Sequence, residues 1–127
     1  MKFVQTKYSV RDGGHYTPGI KCNGMLYISG QLSINPETGK PAEGGIKAEA
    51  AQALKNLDTV LSAAGIGKNQ VVSCKAYLDD ISNWGAFNEV YSEYFGDHKP
   101  VRIVVPVGDM YGGASIEIEA VACYEEK

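Results

Sequence analysis

Between Gly44-Gly45 and Gly65, the apolar residues Ile46, Ala50, Ala53, Leu54, Leu57, Val60, Leu61 and Ala64 recur at spacings of three and four. That period puts them on one stripe of an amphipathic helix, while Lys47, Glu49, Gln52, Lys55 and Asp58 fall mainly on the solvated side. Gly65 is well placed to take the left-handed conformation that ends the helix. A stripe of this length has to be buried against another layer, and the rest of the chain reads mostly as strands.

Residues 25–29 form a strand-like run, entered through Asn23-Gly24 and left through Gly30. The segment 35–39, Asn-Pro-Glu-Thr-Gly, has turn chemistry. Residues 71–78 alternate, with Val72, Cys74, Ala76 and Leu78 on one face and Val71, Ser73, Lys75 and Tyr77 on the other. A second helix follows, with Ser82 as its expected N-cap and Gly96 as its stop. Its stripe is aromatic (Trp84, Phe87, Val90, Tyr91, Tyr94, Phe95) and reads as core. Two closing strands are expected around 101–107 and 115–124, and Pro106 demands an edge or a bulge in the first. The order strand, strand, helix, strand, helix, strand, strand predicts an α+β fold, with two helices on one face of a sheet, right-handed crossovers, and residues 1–127 as one domain.

Composition narrows the function classes. At 127 residues the chain can bury a core without a disulfide or metal staple. Its net charge of −3 and lack of a basic cluster speak against nucleic-acid binding. No apolar run approaches a membrane span, and the first residues lack the apolar core of a secretory signal. The three cysteines, Cys22, Cys74 and Cys123, are odd in number and far apart, which fits a reducing cytoplasm better than a disulfide framework. Cys74 and Cys123 read as small buried hydrophobes. His15 and His98 are distant loop residues, so no metal site is expected.

The chemistry-bearing residues are in the closing strands. Arg102, one of two arginines with Arg11, interrupts the run Val101-Arg102-Ile103-Val104-Val105. Glu117 and Glu119 interrupt the run 116–122 in the same way. A permanently charged guanidinium among β-branched residues needs an anionic or polar partner. That partner is either a substrate carboxylate gripped by the planar fork, or Glu117 or Glu119 in a cross-strand ion pair, unless Arg102 simply points to solvent. Taken alone, the residues favour a structural role. In the last strand Ile116, Ile118, Ala120 and Ala122 form the helix-facing set, leaving Glu117, Glu119, Val121 and Cys123 on the other face. That face, with Val104 assigned to it, is too apolar for water and suggests a second subunit.

Ile28-Ser29-Gly30-Gln31 with the following turn, Asn56-Leu57, Leu61-Ser62-Ala63-Ala64-Gly65, Asn88-Glu89-Val90-Tyr91, Pro100-Val101-Arg102 and the run 116–122 together resemble the reactive-intermediate deaminase family, also called Rid or YjgF. The resemblance spans essentially the whole chain. It implies a chorismate-mutase-like fold and a homotrimer whose sheets face inward, with a site in each subunit cleft. It implies hydrolysis of enamine and imine intermediates, such as 2-aminoacrylate, 2-iminopropanoate and 2-iminobutanoate, to 2-oxo acids and ammonia, without a cofactor. By position, Arg102 matches the family's carboxylate-binding arginine and Glu117 its water-positioning acid. Tyr16, Ser29, Gly30 and Asn88 match cleft residues, and the backbone of Val104 stands where the family often has cysteine. The resemblance turns the reading of Arg102 from ion pair to carboxylate clamp. His15, Pro106 and Met110-Tyr111 depart from the family pattern and bear on substrate preference. A non-catalytic trimeric binder of 2-oxo acids, or an endoribonuclease and translation inhibitor, are the competing expectations.

Overall fold

A computed structural model of the chain describes residues 1–8 and 13–125. The elements are β1 (Lys2–Val4), β2 (Gly19–Cys22), β3 (Met25–Leu32), β4 (Ile34–Asn35), β5 (Lys40–Pro41), α1 (Ile46–Ala63), β6 (Val71–Leu78), α2 (Trp84–Phe95), β7 (Val101–Pro106) and β8 (Ile116–Cys123). Six strands form one mixed sheet in the order β1-β2-β3-β8-β6-β7, in which β6 and β7 run parallel and the other neighbours antiparallel. β4 and β5 pair as a separate hairpin across the expected turn, where Gly39 takes φ 74°. The α+β class with both helices on one sheet face is the one adopted, and Pro106 ends an edge strand as its missing N–H requires.

The stripe of α1 does what its period predicts. Ala50, Ala53, Leu54, Leu57, Val60 and Leu61 are all buried, packed with Leu26 and Ile28 of β3 and with Ile116, Ile118, Ala120 and Ala122 of β8 in one core. Full burial of each leucine contributes roughly 1.5–3 kcal/mol, so this stripe is the main clamp between layers. Gly65 takes φ 79°, and N–H groups of Gly65 and Ile66 close back on the carbonyls of Ser62 and Leu61. In α2, Phe87, Tyr91 and Phe95 join the same core, while Trp84 at the first turn stays 41% exposed.

The structure differs from the sequence reading at several points, each with a local cause. Of the two strands expected before the first helix only the one at 25–29 was located; β1 and β2, which precede it, are too short to show a period. Yet Asn23 and Gly24 have φ 51° and 78°, the left-handed pair that makes a tight hairpin between β2 and β3. In β6 a register shift against β8 lies between Val71 and Ser73, so Val71 is buried and Val72 exposed, the reverse of strict alternation. Ser82 is not the cap of α2. Asp80 accepts the Ser82 N–H at 2.9 Å, which holds its carboxyl below the usual range, and the turn Ile81–Asn83 leads into the helix. Cys74 is buried as expected, but Cys123 is exposed. Among the described residues, no helix is long and apolar enough to cross a membrane.

Candidate functional site

Register places Glu117. It stands opposite Tyr77 of β6 and Leu32 of β3, and side chains in register share a face. Ile116, Ile118 and Ala120 face the helices, so Glu117 and Glu119 project from the other side of the sheet. A cleft of about 610 Å³ opens there, lined by Tyr16, Ser29, Gly30, Tyr77, Glu117 and Glu119 together with Tyr111.

A bulge in β3 builds part of its lining. Ile28 pairs with Ala120 and Gln31 with Ile118, so Ser29 and Gly30 together oppose Glu119. Such bulges re-aim backbone and side chains beside active sites. The Ser29 N–H donates to the Pro18 carbonyl at 3.0 Å and its hydroxyl to the Thr17 carbonyl at 2.5 Å, which fixes the hydroxyl oxygen as an acceptor. Gly30 is pressed against the acid: a Cβ there would lie 2.8 Å from Glu117 Oε2. Burial, helped by the nearby Glu119 charge, pushes the Glu117 carboxyl above its ordinary value of 4.5. The Tyr77 hydroxyl donates to Glu119 Oε1 at 2.5 Å, and that bond raises the phenol to about 12.

Arg102 lies elsewhere. Its register partner is Cys74, whose own partner is Ala120, and both are buried on the helix side. The guanidinium therefore rests on α2, donating from Nη1 to Asn88 Oδ1 at 2.8 Å. Its central carbon sits 4.7 Å from the Tyr91 ring centre and 5.5 Å from that of Trp84, a stacked, cation–π arrangement. A depression of about 280 Å³ beside it is lined by Asn88, Tyr91, Ser92, His98 and Arg102. Val104 shares this face, in register with buried Ala76, which corrects its assignment to the Glu117 side. The cross-strand ion pair of Arg102 with Glu117 or Glu119 is also ruled out, since the charges project from opposite faces. Among the described residues, no cluster of three or more histidine, cysteine, aspartate or glutamate side chains could hold a metal.

The sequence candidates thus fall into two groups: Tyr16, Ser29, Gly30 and Glu117 in one cleft, and Asn88, Arg102 and Val104 on the other side of the sheet. A family model described as endoribonuclease L-PSP matches residues 7–124. The chain belongs to this family, the Rid/YjgF proteins. A RutC family protein of Pyrococcus horikoshii is 42% identical over 123 residues, covering 97% of both chains. A protein of Mus musculus named 2-iminobutanoate/2-iminopropanoate deaminase is 37% identical over 121 residues, covering 95% of this chain and 90% of its own. The crystal structure of RidA from an Antarctic Psychrobacter superposes with a TM-score of 0.90 at 33% identity, covering 98% of this chain and 100% of its own.

Four residues near the two groups of this Rid/YjgF chain escaped the site assignment made from sequence. Tyr77 and Glu119 were visible as polar members of strands, but their pairing depends on which strands are neighbours. Trp84 and Tyr91 were read as core. Tyr91 is indeed buried, and its ring serves the core and the guanidinium at once.

Proposed function

We propose that the chain is a hydrolytic deaminase of 2-imino acids, working as a homotrimer whose sites are shared between neighbouring copies. The observation that carries this reading is the separation of Arg102 from Glu117. Each group is built and held in place, yet one chain cannot bring both to one substrate. A second copy can, and the face carrying Glu117 is suited to association: Phe3, Tyr27, Val101 and Ile103 are 60%, 51%, 68% and 50% exposed. β7 stands at the sheet edge, so the Val104 backbone borders the side open to a neighbour. The deaminase name of the mouse relative supports the reaction class.

In this reading the guanidinium of one copy holds the substrate carboxylate, pre-oriented by Asn88 and the two rings. The imine carbon lies over Ser29 and Gly30 of the neighbour, within reach of a water on Glu117. As the water oxygen bonds to the imine carbon, the C=N electron pair moves onto nitrogen, and Glu117 takes a water proton and returns it to that nitrogen. The carbon–nitrogen bond of the resulting carbinolamine then breaks as the hydroxyl proton passes, again through Glu117, to the nitrogen. Nitrogen leaves as ammonia and the carbon becomes the ketone of a 2-oxo acid. A carboxyl with raised proton affinity suits both the uptake and the return of that proton. Two acids in the cleft disfavour a phosphate backbone, which counts against the endoribonuclease reading.

The experiment is subunit complementation, reading ammonia released from freshly generated 2-iminopropanoate. Arg102→Ala and Glu117→Gln should each be inactive alone. Unfolded together in equal amounts and refolded, they should regain activity at about a quarter of the sites, those joining an intact arginine to an intact glutamate. No regain from mixed trimers would remove the shared site, and wild-type protein that binds 2-oxo acids without releasing ammonia would favour the binder. Gly30→Ala should fold and assemble but lose turnover by about tenfold or more, because its Cβ would displace the Glu117 carboxylate. Steady-state kinetics with a thermal melt on the same sample checks this.

A further inference from the structure

We propose that Tyr111 sets the substrate class of the Glu117 cleft, selecting 2-imino acids with an aromatic side chain over small ones. This rests on the deaminase reading above and goes beyond it in naming the substrate. Tyr111 is 63% exposed and lines the same cleft as Glu117, with Tyr77 and Leu32 also on its walls. Ser29, Gly30 and Glu117 supply the polar groups at which hydrolysis would occur. The rings of Tyr111 and Tyr77 add aromatic surface to the same lining. Because the Tyr77 hydroxyl is committed to Glu119, its hydrogen-bonding tip is already satisfied within the protein.

The Tyr111 backbone is anchored. Its turn, Tyr111–Gly113, uses φ 71° at Gly112 and 78° at Gly113. Gly112 is packed so closely on Ile34 that a Cβ there would lie 2.8 Å from Ile34 Cδ1. The next residue, Ala114, is buried, and the Ser115 N–H donates at 2.9 Å to Glu49 Oε1, which also accepts the Ser33 hydroxyl at 2.8 Å. An exposed aromatic side chain on a fixed turn offers a ligand stacking surface with little backbone ordering still to be done.

The test uses the full chain and imines made in situ by an amino-acid oxidase from phenylalanine, alanine or arginine, reading accelerated ammonia release. Wild-type kcat/KM should favour the phenylalanine-derived imine over the alanine-derived one by about tenfold or more. Tyr111→Ala should collapse that ratio and Tyr111→Phe should keep it. A wild-type preference for the alanine-derived imine overturns the inference without any variant being needed. A preference for the arginine-derived imine would make Glu119, not the rings, the selector, and overturns it too. So does a Tyr111→Ala protein that keeps the ratio, or one that light scattering shows to have dissociated, since the ring then serves the interface. If no imine is turned over, the deaminase reading itself falls, an outcome distinct from turnover with the wrong preference.

Discussion

Arg102→Lys should lose turnover by about a hundredfold or more, close to 2.7 kcal/mol of barrier, while fold and oligomeric state survive. Lysine keeps the charge but not the planar fork, and a point charge on a flexible stem cannot hold both carboxylate oxygens in one orientation. It also loses the stacking on Tyr91 and Trp84 and the bond to Asn88. Those contacts are at the edge of the sheet, so their loss costs about 1–2 kcal/mol of stability. The two effects separate the roles of the residue. If the guanidinium existed to complete the fold, the melting temperature would drop steeply and activity would follow the folded fraction. If it exists to hold substrate, activity collapses in a protein that still melts cooperatively, and a 2-oxo acid no longer protects it against heating. Kinetics, melting with and without pyruvate, and light scattering on one preparation decide between them. Near-normal turnover in a folded Arg102→Lys protein would sink the clamp.

The contrast between what the sequence revealed and what it hid follows from where each kind of information resides. The α1 stripe is local: residues three and four apart report the same face whatever lies beyond the helix, so its buried set was legible in full. In β8 one alternate set is entirely apolar and the other contains Glu117 and Glu119, so the strand phases itself. β7 does not. Val101, Ile103 and Val105 are as apolar as Val104, and nothing in the run says which set is buried. Only the pairing of Arg102 with Cys74 settles the phase, and that pairing is set by β6 lying between β7 and β8. The opposite-face placement of Arg102 and Glu117 was therefore invisible until the register was known. The same holds for Tyr77 and Glu119, which meet through register rather than sequence spacing. The Ser29-Gly30 bulge is hidden for another reason. A two-against-one mismatch is a property of two strands, and the glycine's purpose appears only when Glu117 is seen against it.

Glu117→Gln should abolish turnover, by about a hundredfold to ten-thousandfold, in a protein at least as heat-stable as the wild type at neutral pH. Glutamine keeps the size of the side chain but cannot accept the water proton. The stability side follows from the direction of the pKa shift. Burial first, and Glu119 second, raise the folded value above the ordinary 4.5. For an acid raised in this way, the stabilising contribution is fully present below the unfolded pKa and is lost as pH climbs through the folded one. At neutral pH the ionised Glu117 is thus held against the preference of its surroundings, a strain that glutamine does not carry. The gain in melting temperature should shrink as pH falls through the raised folded value, where Glu117 in the wild type also becomes neutral. In the deaminase reading the same shift would govern catalysis, since Glu117 would have to be ionised to act. Glu119→Gln removes one of its two causes and should move the acidic limb of kcat/KM to lower pH. A Glu117→Gln protein that still turns over imine would remove the residue from the chemistry. One that melts well below the wild type at neutral pH would show that the carboxylate serves the assembly, with a stabilising partner across the interface.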